Sequence, residues 1–217
     1  MKCPEIPEYE LSREPPGEEI FANSPVLHFN QSWLLTPIEG ISSAEVRIGW
    51  FGRKFCFDAK LQDKRIFTAA TKRNEMLYLL GDTLEFFAGV EEDPAYIEYH
   101  YAPNGLLLQL LWPRPLANID LKSSGGVEAF VISEDSSRHN IQRIPGGWRV
   151  SGQVQLPRPG NSFESLAGVA VDLHFGRYDY SDSDSKPILS STSPLPRASF
   201  HEREYWRRVI CQPDNRT

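Results

Sequence analysis

The sequence contains no long apolar run and no long basic run. A membrane-spanning helix needs about 20 mostly apolar residues, and no such run occurs in the 217 residues. No basic block is longer than three residues and the formal net charge is −6, so the charge pattern of a nucleic-acid-binding protein is missing. We therefore expect neither a membrane nor a nucleic acid among the partners.

Cysteines are few, and the first residues carry no secretory signal. Prolines and glutamates stand where a signal peptide has its basic start and apolar stretch. As given, the chain is expected to be cytoplasmic, or extracytoplasmic if it is a mature form whose signal was removed.

Cys3, Cys56 and Cys211 are widely separated, and an odd number without close spacing predicts neither a disulfide framework nor a metal site. We expect free thiols.

Familiar catalytic and cofactor motifs are also missing. No G-x-S-x-G, P-loop or G-x-G-x-x-G sequence occurs, and no histidines stand in HExxH or His-x-His spacing. Asp82 and Glu85 are three residues apart in a predicted strand, so alternation places them on opposite faces and excludes a catalytic dyad. The sequence favours a protein without catalytic activity and without a cofactor.

One loop keeps a calcium site open as an alternative. Asp179, Asp182 and Asp184 alternate with other residues in DYSDSDS, and such spacing can wrap oxygen ligands around a calcium ion. The glycine and the terminal glutamate of an EF-hand loop are missing, so we expect a solvated loop.

Strand patterns dominate what is present. Seventeen prolines and fifteen glycines indicate many turns. Val46–Trp50 and Lys54–Lys60 resemble the arms of a hairpin, and Thr68–Leu80 is the one stretch that suggests a short helix. Further strands are expected within Thr83–Ala88, Tyr96–Tyr101, Gly105–Leu111, Val127–Ile132, Gly147–Leu156, Gly168–Phe175 and Arg207–Cys211.

This spacing predicts an all-β fold. About nine or ten short strands with hardly a helix are typical of an antiparallel two-sheet β-sandwich. Residues 1–24 are rich in proline and glutamate and suggest an N-terminal arm. No linker is visible further along, so residues 25–217 are expected to form a single domain.

Two neighbouring strands carry polar residues in alternating positions. Thr83, Glu85 and Phe87 share one face of the first strand, and Glu98 and His100 share one face of the second. If the strands pair as a hairpin, Glu85, Glu98 and His100 lie together. The pattern alone favours an ordinary solvated face; the functional interpretation is a hydrogen-bonding floor for a polyol.

Seven segments stand out by their residues and by their order along the chain. They are VRIGWFGRKFCFDAK, GDTLEFF, YIEYHYAPNG, GGWRVSGQVQLP, AGVAVDLHFGRYD, a loop with STSP, and FHEREYW. This ordered set resembles the family 9 carbohydrate-binding modules and their stand-alone relatives. The resemblance covers roughly residues 25–212 and implies a sandwich of the kind found in these modules and in DOMON domains.

The resemblance implies a sugar or polysaccharide ligand and a set of site residues. In such modules two tryptophans clamp a terminal sugar ring, and polar residues, including the glutamate of D-x-x-E, bind its hydroxyls. That glutamate corresponds to Glu85 and the later aromatic to Phe200, whereas Leu79 stands where the earlier tryptophan is expected. Tyr78 would point elsewhere if its segment is extended. The expected ligand-binding residues are Glu85, Phe200, Glu98, His100, Arg177 and His201.

Three further hypotheses stay open on the sequence. A haem-binding or redox relative would need axial ligands, for which Met76 and His100 are available. A glycoside-active enzyme would use Glu85, Glu98 or Asp172 as a carboxylate pair. A pure interaction protein with a decayed ligand site would fit the departure at Leu79.

Overall fold

The computed structural model describes residues 1–11, 14–133, 136–156, 164–180 and 186–213. No helix in this part of the chain is long and apolar enough to cross a membrane. The described strands are β1 Lys2–Pro4, β2 Val26–His28, β3 Ala44–Phe51, β4 Lys54–Gln62, β5 Thr83–Val90, β6 Tyr96–Tyr101, β7 Leu107–Trp112, β8 Ser137–Ile144, β9 Gly147–Gln155, β10 Ala170–Asp179, β11 Ile188–Ser191 and β12 Arg207–Gln212. The described 3-10 helices are Glu18–Phe21, Leu77–Leu79, Leu116–Asn118, Val127–Phe130 and Arg203–Tyr205.

The strands form two sheets. One has seven strands in the order β1-β12-β10-β5-β6-β7, with β11 also pairing with β10, and the other has five in the order β2-β3-β4-β9-β8. All pairs are antiparallel except β1 with β12, which is parallel. The prediction of an all-β, two-sheet sandwich with little helix is confirmed.

The core lies between the two sheets and is rich in aromatic rings. Phe55 and Phe57 of β4 meet Phe86 of β5 with ring centroids 5.7 and 5.3 Å apart, and Phe86 meets Phe175 of β10 at 4.8 Å. All four rings are fully buried. Burial of each such side chain contributes roughly 1.5–3 kcal/mol, so these rings hold the sheets together and fix which face of β5 looks outward.

Several segments differ from the sequence-based expectation, among them the short strands β1, β2 and β11, which the pattern does not predict. Val127–Ile132 is predicted as a strand, but Val127–Phe130 is a 3-10 helix that follows Gly125 and Gly126, both with positive φ. The double glycine turns the chain, and none of the four helical residues is buried. Conversely, Ser137–Ile144 is a strand that the pattern does not predict, because it is a mostly polar edge strand without a clear apolar alternation.

The described part of residues 1–24 packs on the sandwich. β1 adds to the edge of the seven-stranded sheet beside β12. Phe21 is buried, and its ring lies 6.1 Å from that of Tyr9, which in turn lies 5.7 Å from that of Phe51. This stretch therefore closes over the outer side of β3 and β4.

Candidate functional site

A pocket of about 300 Å³ opens on the outer face of the seven-stranded sheet. Its floor is formed by β5, β6 and β7, and its walls come from the segments around residues 76–78, 116–127 and 198–201. The described lining residues are Met76, Tyr78, Glu85, Glu98, His100, Leu110, Trp112, Leu116, Leu121, Val127, Tyr178, Ala198, Ser199, Phe200 and His201. Five of the six expected ligand-binding residues thus line one pocket.

The pairing of β5 with β6 brings Glu85, Glu98 and His100 together at the bottom of the pocket, and these three residues form the polar floor. Glu85 lies opposite His100 and Phe87 opposite Glu98 in antiparallel register, so alternation directs Glu85, Glu98 and His100 to the same face. Their exposed fractions are only 3%, 4% and 1%. The interpretation of this face as ordinarily solvated is therefore wrong, because the surrounding walls remove it from water.

Glu98 is the most heavily hydrogen-bonded group of the floor. His100 Nε2 lies 2.7 Å from Glu98 Oε1, and Trp112 Nε1 donates to Glu98 Oε2 at 2.6 Å. His201 Nε2 lies 3.6 Å from the same Oε2, while its Nδ1 is 2.9 Å from the hydroxyl of Tyr96. Burial alone would raise the pKa of Glu98. The hydrogen bond from His100 and the nearby His201 outweigh this effect and lower the pKa, so the carboxyl stays ionised.

Glu85 is in the opposite protonation state. Burial raises the pKa of Glu85 to about 8, against a partial lowering by His100, whose Nε2 lies 3.3 Å from Glu85 Oε1. At neutral pH the Glu85 carboxyl is thus mostly protonated and can donate a hydrogen bond as well as accept one. The floor consequently offers a neutral acid beside an ionised carboxylate.

The aromatic wall is formed by Phe200 and by Tyr78. Trp206 Nε1 donates to the Phe200 carbonyl at 2.8 Å, and the Phe200 ring packs 5.6 Å from that of Tyr178. A Cβ at Gly176 would lie only 2.5 Å from the Phe200 ring, so the absence of a side chain there makes room for this wall.

Tyr78 brings an aromatic ring into the pocket from the segment in which the resemblance implies a clamp tryptophan. The segment is not extended: Leu77–Leu79 forms a 3-10 turn, in which Leu79 points outward with 63% of its surface exposed. Tyr78 instead lines the pocket, with its ring 5.7 Å from that of His100 and 5.5 Å from that of Tyr178. The departure at Leu79 therefore leaves the pocket with an aromatic residue from the same segment.

Trp112 is a site residue that the sequence pattern does not single out. It ends β7 at the pocket floor, is 2% exposed, and binds Glu98 through its indole N–H. Trp112 lies two residues after Leu110, another pocket residue, so both side chains are on the same face of β7. Once β7 is paired with β6, this spacing is the feature of the sequence that could have identified Trp112.

Arg177 is the one expected ligand-binding residue that lies elsewhere. Its neighbour Gly176 contacts Phe200 on the outer face of β10, so alternation turns Arg177 to the inner face. The guanidinium donates to the Gln62 carbonyl at 2.7 Å and lies 2.9 Å from Asp179 and 3.7 Å from Asp63. With 1% of its surface exposed, it is a buried ion-pair partner at the end of the core.

The carboxylates around Arg177 also bear on the hypothesis of a calcium site. Asp182 and Asp184 lie outside the described residues. Asp179 has carboxylate oxygens within 4.8 Å of those of Asp63 and Asp82, and Arg177 supplies a positive charge to this group. Backbone N–H groups of Phe67 and Tyr180 donate to Asp82. The three described carboxylates thus already have protein donors around them.

Met76 and His100, the axial pair of the haem hypothesis, both line the pocket. His100 Nε2, however, is held between Glu85 and Glu98. Absorption of the purified protein in the Soret region tests the haem hypothesis directly.

Asp172, a carboxylate of the glycosidase hypothesis, does not line the pocket. It lies on β10 and pairs with Arg203 and Arg208 instead of with either glutamate. Glu85 and Glu98 are therefore the two carboxyl groups that the described pocket offers to a ligand.

No family model matches the sequence, and no curated protein matches it. Several solved structures are similar in fold. A candidate carbohydrate-binding protein from Bacteroides uniformis superposes with a TM-score of 0.69 at 15% identity, covering 97% of each chain. A family 9 carbohydrate-binding module from Caldicellulosiruptor kristjanssonii, solved with cellotriose, gives 0.67 at 11% identity over 100% of this chain and 96% of the module. A family 9 module from the same organism, solved with glucose, superposes with a TM-score of 0.64 at 11% identity. The match covers 100% of this chain and 97% of the module.

The chain has the fold of a family 9 carbohydrate-binding module. The match extends over nearly the whole chain, so both sheets fall within the region of similar fold. At 11–15% identity the likeness concerns the fold, and the family 9 fold by itself leaves the ligand to be argued from the pocket.

The raised pKa of Glu85 predicts a pH-dependent stability. Because this pKa is about 8 in the folded chain and near 4.5 for a free glutamate, the folded state binds the extra proton between those values. Stability from this group is present below about pH 4.5 and is lost as the pH rises to about 8. Urea unfolding of Glu85→Gln between pH 5 and 8.5 is expected to show a shallower decline than the parent chain.

The surface variant Glu204→Gln is the control and is expected to keep the parent's slope. Part of the decline persists in Glu85→Gln, because burial also raises the pKa of Asp82, to about 7. Equal slopes for the parent and Glu85→Gln would show that Glu85 is ionised in the folded chain.

Proposed function

We propose that the chain is a non-catalytic module that binds a sugar in the pocket of β5, β6 and β7. The observation that carries the proposal is a buried Glu85–His100–Glu98 floor beside the aromatic residues Tyr78 and Phe200. Sugar hydroxyls both donate and accept hydrogen bonds, and the apolar face of a sugar ring packs on aromatic side chains. The Caldicellulosiruptor structures with cellotriose and glucose support this class of ligand.

Binding is favoured over hydrolysis by the state of Glu98. Glycosidases of the common kind need two carboxyl groups that are free to act on the substrate. Both oxygens of Glu98 are already engaged, one by His100 and the other by Trp112. Glu98 therefore acts as a fixed acceptor that orients the floor, and the module is expected to leave a bound glycoside intact.

The lining residues also indicate the charge of the ligand. None of the described lining residues is a lysine or arginine, whereas two are glutamates. An anionic sugar would meet the ionised Glu98 in a poorly solvated site, where the His100 imidazole is already paired with Glu98 and no lysine or arginine of the described lining balances the added charge. We therefore propose a neutral sugar or sugar-chain end, and expect uronic acids to bind more weakly.

Titration calorimetry at pH 7 tests the proposal with glucose, cellotriose and glucuronate. A dissociation constant in the micromolar to millimolar range is expected for a neutral sugar, about −4 to −8 kcal/mol. Glu85→Ala should weaken binding roughly tenfold or more, because loss of one partner in a desolvated hydrogen bond costs about 1–3 kcal/mol. Glu85→Gln is the matched control: its amide resembles the protonated acid and should retain most of the affinity.

Two results would contradict this assignment. If a broad panel of neutral mono- and oligosaccharides gives no heat and no shift in melting temperature, the module does not bind sugars. If binding occurs but survives Glu85→Ala unchanged, the sugar lies somewhere other than this pocket.

A further inference from the structure

Two of the three cysteines lie side by side in the fold. Cys3 of β1 and Cys211 of β12 are directly opposite one another in parallel register. Both are fully buried and belong to the core between the sheets, so their side chains leave the strands on the same face. Hydrogen bonding to Cys211, together with burial, holds the pKa of the Cys3 thiol well above its usual value.

Cys56 is set apart from this pair. It lies on β4 in the other sheet, opposite Gly49 of β3, and packs with Ile6, Phe21 and Phe51. It alternates with Phe55 and therefore faces away from the core between the sheets. The chain thus contains a close pair of thiols and a third, separate thiol of similar burial that serves as an internal control.

The geometry of the pair is close to that of a disulfide. Neighbouring strands lie about 4.8 Å apart, within the range of about 4.4–6.8 Å between Cα atoms of bonded cysteines. The Cβ atoms of a disulfide lie about 3.5–4.5 Å apart, so the strands must approach by a few tenths of an ångström. β1 can make this shift because it is a three-residue strand at the sheet edge.

We propose that Cys3 and Cys211 are a redox-active pair that forms a reversible disulfide between β1 and β12. The oxidant is a small disulfide such as oxidised glutathione. When β1 separates from β12, Cys3 leaves the buried contact that raises its pKa. Its thiolate then attacks the small disulfide, forming a mixed disulfide and releasing one glutathione thiol. The Cys211 thiolate then attacks the Cys3 sulfur and releases the second. Two cysteine thiols are oxidised, one small disulfide is reduced to two thiols, and the protons of the cysteines pass to the released thiols.

Because both cysteines are buried, the disulfide can form only when the edge of the sheet opens. Neither thiol is exposed in the closed fold, so the oxidant reaches them only when β1 separates from β12. A bond that draws parallel neighbours together is strained and therefore more easily reduced than a relaxed structural disulfide. Once formed, it closes a loop of nearly the whole chain, for which the loss of entropy in the unfolded state is large.

Thiol counting on the full chain tests the proposal. After incubation with oxidised glutathione, the thiols titrated in denaturant should fall from three to one. Peptide mapping should recover a cross-linked peptide that contains Cys3 and Cys211, and dithiothreitol should restore three thiols. The melting temperature of the oxidised chain should rise by roughly 5–10 °C.

Single alanine variants separate this pair from the third thiol. Cys56→Ala should still form the cross-link, whereas Cys3→Ala and Cys211→Ala should not. If three thiols remain even in mild urea that loosens β1, or if Cys3 accumulates as a stable glutathione adduct, the proposal fails. A cross-link that involves Cys56 would equally overturn it. Sugar binding enters none of these readouts, so the outcome is independent of the proposed function.

Discussion

Replacement of Arg177 by methionine is expected to destabilise the chain by about 3–5 kcal/mol, because it leaves buried carboxylates without their cation. Asp63 is 5% exposed and Asp179 is partly buried, and both lie within 4 Å of the Arg177 guanidinium. Asp82 lies within 4.8 Å of both carboxylates. The loss also removes a hydrogen bond to the Gln62 carbonyl, which ties β10 to the end of β4. Equilibrium unfolding in urea measures the difference.

Arg208→Met is the control for this experiment. Arg208 also pairs with two carboxylates, those of Asp172 and Glu91, but its side chain is 56% exposed. Solvent screens such exposed pairs, so this variant should stay close to the parent. If Arg177→Met costs no more than Arg208→Met, the buried cluster is solvated or protonated and the ion-pair account is wrong. Sugar binding by the folded fraction of Arg177→Met should be unchanged, since Arg177 is outside the pocket.

Truncation of Phe200 to alanine is the second large expected effect, and it acts on stability and binding together. The ring is 5% exposed and packs against Phe87, His174 and Tyr178. Removing a buried phenylalanine ring costs about 3–5 kcal/mol. The same ring is a wall of the pocket, so affinity for a neutral sugar should fall at least about tenfold.

Phe200→Leu separates the two roles of this residue. Leucine fills part of the space above Gly176 and His174 but offers no flat ring to a sugar. We expect it to recover much of the stability lost in Phe200→Ala while leaving the affinity low. Full affinity in a stable Phe200→Leu protein would show that Phe200 supports the wall without contacting the ligand.

Alternation of side chains is enough to predict the polar floor. Glu85, Glu98 and His100 follow from the period of two and from the pairing of two adjacent strands. Their burial does not follow, because it depends on the walls around residues 116–127 and 198–201, which come from distant parts of the chain. Tyr78 likewise can be placed only once its segment is seen to turn.

Arg177 shows where prediction from the sequence fails. Alternation with Val171, Leu173 and Phe175 places it on the apolar face of β10, where an arginine is unexpected without a partner. The sequence does not reveal that Asp63, more than a hundred residues earlier, supplies a partner on the inner face. The face of Arg177 therefore follows from the strand pattern, whereas the partner that makes its burial possible comes from a distant part of the chain.

The pairing of β1 with β12 has a consequence for synthesis on the ribosome. Translation at roughly 5–20 residues per second separates these two strands by some 10–40 seconds. Throughout that time β1 has no strand to join, and the edge of β10 that β12 later covers lacks its neighbour from the moment β10 is made. The pairing of β1 with β12 can form only after β12 has left the exit tunnel, so β1 waits for a strand that is made about 200 residues later.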